Sequence, residues 1–259
     1  MMNNDGTKSA NETMHDEQSV GRVFLVGAGP GDPKLLTLRA VECLQSADLV
    51  LYDYLTHPDM LAHAAKSAKL VPLGHHRQGR LLTQDEVNRR MVEAAQAGQT
   101  VVRLKSGDPT IFGRHGEEVG ALREANIPYE TVPGVTTATA AASAADVSLT
   151  HRDSSSAVAM VTGRRRDDRN PTPLDYDALA AFPGTLVFYM GVSDAPRWTD
   201  LLIGSGRNPK SRVTIVQRCS RERQKIDQCR LDEVVDTIER LEIKPPTVFI
   251  ISSPWETVD

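Results

Sequence analysis

At roughly 150 residues per domain, the 259 residues of the chain predict one large or two modest domains. An apolar share of 40% with 25% charged residues excludes a largely disordered or fibrous chain. The balance of 30 basic against 34 acidic side chains, net −4, excludes a protein that mainly coats nucleic acid or an anionic membrane, while leaving room for a local basic pocket.

Residues 1–20 lack an apolar run and are rich in Asn, Asp, Glu, Ser and Thr, so they read as a disordered tail rather than a signal segment. From Gly21, β-branched runs alternate with helical patterns. Arg22 to Val26, Asp48 to Tyr52, Lys69 to Pro72, Thr100 to Leu104 and Tyr129 to Val132 read as strands. Thr37 is placed to cap a helix over Leu38 to Ser46, and Thr83 with Glu86 forms a capping-box signature ahead of Gln84 to Ala97. This βαβα order predicts a mainly parallel sheet, because parallel strands need a long return path that a helix supplies. The Pro133-Gly134 step is a natural turn, and the alanine-rich run from Ala138 to Ala145 follows it. Strands near Ala157 to Thr162, Thr185 to Met190, Arg212 to Val216 and Thr247 to Ile251 then form a second α/β series. The expected domains are 21–134 and 135–259, the second with a mixed sheet. Gly163 to Pro173, with its arginines and aspartates, reads as a solvated loop. No apolar run approaches the ~18 residues needed to cross a bilayer. Cys43, Cys219 and Cys229 are odd in number and form no CxxC pair, so no disulfide framework or zinc knuckle is expected, and a reducing cytoplasm fits.

In open α/β sheets ligands bind beyond the carboxyl ends of the strands, so the residues following each early strand are the candidates. The first strand runs into Gly27-Ala28-Gly29-Pro30-Gly31-Asp32-Pro33, the second into Asp53, the third into Gly74-His75-His76-Arg77, and the fourth into Lys105-Ser106-Gly107-Asp108-Pro109. The first loop lacks the GxGxxG spacing of a dinucleotide site, and its prolines remove backbone donors. A backbone that approaches a small ligand and a plain strand-to-helix turn both fit it. Ser106-Gly107-Asp108 suits an amino acid or ribose group, and equally a helix entry. Arg114 and Glu117, three apart, fit a surface ion pair as well as a functional one, and Asp53 fits a helix cap. Met190 reads by default as core. His75 and His76 would diverge in an extended loop, and no metal site is expected.

Together these segments resemble the tetrapyrrole methylase family over most of the span from Gly21 to Ser252. The resemblance rests on VGAGPGDPKLLTLRA (Val26 to Ala40), ADLVLYD (Ala47 to Asp53), RLKSGDPTIFGRHGEE (Arg103 to Glu118), PGVTTA (Pro133 to Ala138), LTHR (Leu149 to Arg152) and TLVFYMG (Thr185 to Gly191). It implies a homodimer in which S-adenosylmethionine (SAM) binds in a cleft between two α/β domains. It also implies C-methylation of uroporphyrinogen III at C2 and C7 to give precorrin-2. Another precorrin C-methyltransferase, or a degenerate SAM- or tetrapyrrole-binding protein, is the alternative. By the same resemblance Pro30, Ser106, Gly107, Asp108, Ile111, Thr136, Thr137, Met190 and Cys219 fall where the family contacts its cofactor. Asp53 matches a proton acceptor, and Arg114 and Glu117 match a pair serving substrate binding and catalysis. Lys105, Arg114 and Arg152 are the nearest cations for an anionic macrocycle. The chain departs from the family pattern where a lysine turn is replaced by Gly74-His75-His76, and His75 is the candidate stand-in for that lysine. Further departures are Ser106, Thr110 and His115, Val216 to Ser220, and Thr162-Gly163-Arg164.

Overall fold

The computed structural model describes residues 20–74, 82–163 and 174–252. His75, the loop after Gly163 up to Pro173 and the tail before Val20 therefore lie outside the described residues.

The first domain is a five-stranded sheet. Its strands are β1 (Arg22–Gly27), β2 (Leu49–Tyr52), β3 (Lys69–Pro72), β4 (Thr100–Lys105) and β5 (Tyr129–Val132), in the order β3-β2-β4-β1-β5. Every pairing is parallel, as the alternation of strand and helix predicts. Helix α1 (Leu38–Gln45) covers one face, where Ala40, Cys43 and Leu44 meet Phe24, Val26, Val50 and Leu104. Helices α2 (Gln84–Gln96) and α3 (His115–Glu124) cover the other, where Val87, Met91, Val119 and Leu122 meet Val23, Leu25, Leu51 and Val101. Both expected caps are present. The Thr37 hydroxyl accepts from the Ala40 amide at 3.1 Å, and Thr83 and Glu86 bond reciprocally at 3.2 and 2.7 Å.

Helix α4 (Thr137–Ala144) begins just after the last strand of this sheet and packs on the second one. Its alanine face lets the helix sit close to Val187, Val216, Val248 and Ile250. The second sheet contains β6 (Val158–Thr162), β7 (Thr185–Tyr189), β8 (Arg212–Gln217), β9 (Lys225–Arg230) and β10 (Thr247–Ile251), in the order β6-β7-β10-β8-β9. β6 and β7 are parallel and the other pairs antiparallel, so the sheet is mixed. Helices α5 (Tyr176–Ala181), α6 (Ala195–Gly204) and α7 (Val234–Arg240) complete the domain. On the face opposite α4, Trp198 of α6 stacks on Phe188 at 4.7 Å and meets Phe249 edge-on at 5.4 Å, while its indole N–H donates to the Gly191 carbonyl at 2.9 Å.

Two expectations are corrected. Strand β7 stops at Tyr189 because Met190 turns into the left-handed region at φ 54°, which takes it out of the core to 47% exposure. Strand β9, which sequence periodicity did not reveal, is an edge strand whose inward residue is Cys229.

Candidate functional site

Four glycines bring the loops after β1, β4 and β5 together. Gly29 and Gly107 exchange backbone hydrogen bonds of 3.1 and 2.8 Å, zipping the first and fourth strand loops. A Cβ on Gly134 would stand 2.3 Å from the Gly107 carbonyl, and one on Gly27 would stand 2.5 Å from the Gly134 nitrogen, so only glycine allows this approach. Asp108 secures the junction: one carboxylate oxygen accepts from the Gly134 amide at 3.0 Å, the other from the amide and hydroxyl of Thr110 at 2.8 and 2.5 Å.

Above this junction a cleft of about 720 Å³ opens between the two domains. Every residue expected to touch a cofactor lines it: Pro30, Ser106, Gly107, Asp108, Ile111, Thr136, Thr137, Met190 and Cys219. Sequence reasoning missed several others on its wall, among them Tyr54, Phe112, Tyr189 and Arg221. The Tyr189 hydroxyl lies 2.7 Å from the Thr136 hydroxyl and accepts from the Ala138 amide at 2.8 Å, so it occupies a donor at the start of α4. Burial pushes the Tyr189 phenol up, which keeps it a neutral hydrogen-bonding group. Phe112 reaches from the first domain to within 5.1 Å of the Tyr189 ring. Its aromatic neighbour and the sequence TLVFYMG were the available signals for that contact.

Arg221 ties the lobes. From the loop after β8 its Nε donates to the Pro30 carbonyl at 3.2 Å and its Nη2 to the Leu55 carbonyl. Burial, with the nearby Arg218 charge, lowers its pKa, and Gly31 makes room for its stem: a Cβ there would lie 2.4 Å from Arg221 Cγ. The Cys219 thiol beside it is pushed up by burial and stays protonated at neutral pH.

The remaining expected residues divide. Asp53 follows β2, half-buried, and its Oδ1 accepts from Arg103 Nη2 at 2.6 Å. Arg114 stands at φ 55° ahead of α3 and grips Glu117 with paired bonds of 2.7 and 2.5 Å, a geometry that holds the guanidinium strongly protonated. Both side chains are about half exposed. Lys105 departs from its expected place against a substrate. It is 2% exposed and its ammonium donates to Glu118 at 2.5 Å and to the Gly113 carbonyl, inside the first domain. Arg152 is exposed in the turn that His151 and Ser155 close and is not among the residues that line the cleft.

The profile of the family described as "Tetrapyrrole (Corrin/Porphyrin) Methylases" matches residues 22–235. Among curated proteins, siroheme synthase of Zymomonas mobilis subsp. mobilis is 43% identical over 93% of this chain and 50% of its own length, and siroheme synthase of Gluconobacter oxydans is 42% identical over 91% and 50%. The chain thus spans about half the length of these relatives. Among solved structures, the uroporphyrin-III C-methyltransferase of Thermus thermophilus complexed with S-adenosylhomocysteine has a TM-score of 0.75 at 39% identity, covering 90% of this chain and 92% of that one. A cobalt precorrin-4 methyltransferase has a TM-score of 0.79 at 27% identity, covering 89% and 94%. The chain therefore belongs to the tetrapyrrole (corrin/porphyrin) methylases.

Proposed function

We propose that the chain binds SAM in the interdomain cleft and methylates uroporphyrinogen III at C2 and C7, giving precorrin-2. The observation that carries this reading is the convergence of all the expected cofactor-contact residues on a single cleft. The residues present fit such a cofactor. A volume of about 720 Å³ suits a nucleoside joined to an amino acid, and the space where a Gly107 Cβ would stand is open. Ile111, Val216 and Val248 offer an apolar wall for a base, while Ser106, Thr136 and Thr137 offer hydroxyls and the opening turn of α4 for polar groups.

When bound, SAM supplies an activated sulfonium methyl. The chain's own task is then to align a pyrrole carbon with that methyl and exclude water, which can contribute roughly 7–11 kcal/mol. Arg114 meets carboxylates of the anionic macrocycle, its guanidinium fixed by Glu117. Asp53, half-buried against Arg103, takes the proton lost after methyl transfer, or does so through a water. His75 in the third loop stands in for the family lysine as a proton donor. We place the protein in the cytoplasm, as a homodimer.

Methylation of a later precorrin is the second reading, favoured by the likeness to the cobalt precorrin-4 methyltransferase; its lower identity ranks it behind. Incubation with uroporphyrinogen III and methyl-labelled SAM, followed by product mass, tests the choice. Two added methyl groups are expected. No transfer to uroporphyrinogen III, with transfer to a later precorrin, overturns it.

A further inference from the structure

The central strand β4 carries two cations, Arg103 and Lys105, on the same face as Val101, which α2 and α3 cover. They are 5% and 2% exposed. Charges so placed are costly unless paired and hydrogen-bonded. Glu118, wholly buried on α3, pairs with both: Oε1 accepts from Arg103 Nε at 3.0 Å and Oε2 from Lys105 Nζ at 2.5 Å.

The far ends of the two cations reach the two loops that carry the proposed chemistry. Arg103 Nη2 donates to Asp53 Oδ1 at 2.6 Å. Lys105 Nζ donates to the carbonyl of Gly113, between Phe112 and Arg114, which both hold left-handed backbone at φ 52° and 55°. A Cβ on Gly113 would lie 2.4 Å from the Pro109 carbonyl and 3.1 Å from Lys105 Cε, so this segment is packed onto the lysine stem. Gln84 of α2 donates to Glu118 at 3.3 Å, and Asn88 to the Glu117 carbonyl at 3.3 Å, bracing the same end of α3. Burial and the Arg103 charge lower the Lys105 pKa, and Glu118 opposes that drop.

We propose that Glu118 is a positioning residue that fixes the Asp53 carboxylate and the Phe112–Arg114 segment as one unit, so that base and guanidinium meet the macrocycle in a set register. The inference rests on the reading in which Asp53 and Arg114 serve methyl transfer. It requires part of the effect of Glu118 on turnover to pass through Arg103 to Asp53. A purely structural ion cluster has no such requirement.

A double-mutant cycle measures the difference. Glu118→Gln is expected to lower kcat about 10- to 100-fold with the KM for SAM and calorimetric affinity for S-adenosylhomocysteine within about 2-fold, an effect of the size that misplacing a catalytic group produces. In an Asp53→Asn background the same substitution is expected to lower kcat by a clearly smaller factor than in the parent, because the Asp53 arm is already lost and only the Phe112–Arg114 arm remains. Equal fold losses in the two backgrounds overturn the inference. Should Glu118→Gln fail to fold, Arg103→Lys repeats the cycle with the charge kept, since an ammonium cannot bridge Glu118 and Asp53 as a planar guanidinium does. Hydrogen exchange gives a readout independent of turnover: amides of 53–56 and of 112–115 should both exchange faster in the variant, and acceleration in one loop alone overturns the coupling. An inactive wild type would sink the functional reading, whereas an active wild type with a multiplicative cycle sinks this inference alone.

Discussion

Gly107, on the cleft wall, stands at φ 71° with open space where a Cβ would point. Alanine there costs about 1 kcal/mol of stability through the left-handed backbone. It also intrudes on the volume proposed for the cofactor. Gly107→Ala is therefore expected to weaken S-adenosylhomocysteine binding by about tenfold or more with a modest fall in Tm, and unchanged affinity by calorimetry would contradict that placement. Arg114→Ala should do the opposite. Its guanidinium lies outside the cleft wall, so methyl transfer should drop at least about 100-fold while affinity for S-adenosylhomocysteine stays within about 2-fold. Loss of cofactor affinity with turnover per bound cofactor intact would remove the substrate role. Residues like these were legible as a set in VGAGPGDP and SGDP. Asp108 was not legible as a brace, because its bond to the Gly134 amide joins positions 26 residues apart.

At the scale of elements, Arg221 fastens the loop after β8 to the first domain. Arg221 reaches two carbonyls there, and lysine has no fork with which to hold both. Arg221→Ala is expected to weaken S-adenosylhomocysteine binding about tenfold, because the loop also carries Cys219 on the cleft wall, and Arg221→Lys should fall between. Equal affinity in all three proteins would show that the strap leaves the cleft unaffected. Which elements the sequence disclosed follows from their burial. β1 and β4 are covered on both faces and read as continuous apolar runs, apart from the Arg103 and Lys105 that pair with Glu118. The two cations on a buried strand, followed by the Glu117-Glu118 pair, were a signal for that network, yet nearness to the family motifs made Lys105 a candidate for the substrate. β9 gave no signal, since KIDQCR buries only Cys229 and its pairing to β8 is set by tertiary contact. The left-handed backbone at Met190 was equally hidden, because a methionine is an unusual residue for it.

For the whole molecule, the buried thiols and phenols predict a one-sided response to pH. Burial pushes the Cys229 thiol from near 9 up to about 11, and Cys43, Cys219, Tyr176 and Tyr189 shift in the same direction for the same cause. A raised folded value means the native state holds its proton longer than the unfolded chain. For Cys229 the stabilisation is thus complete below pH 9 and lost as pH climbs through 11. Cys229→Ala should lose less Tm between pH 8 and pH 11 than the parent does, and equal losses would contradict the assignment. The same two-lobed architecture makes the central claim testable without any acceptor. Calorimetric titration of the folded protein with S-adenosylhomocysteine should give one saturable site per chain, weakened by Gly107→Ala and spared by Arg114→Ala. A protein that is folded by circular dichroism and takes up no S-adenosylhomocysteine, or takes it up equally well with Gly107 replaced, would contradict the account.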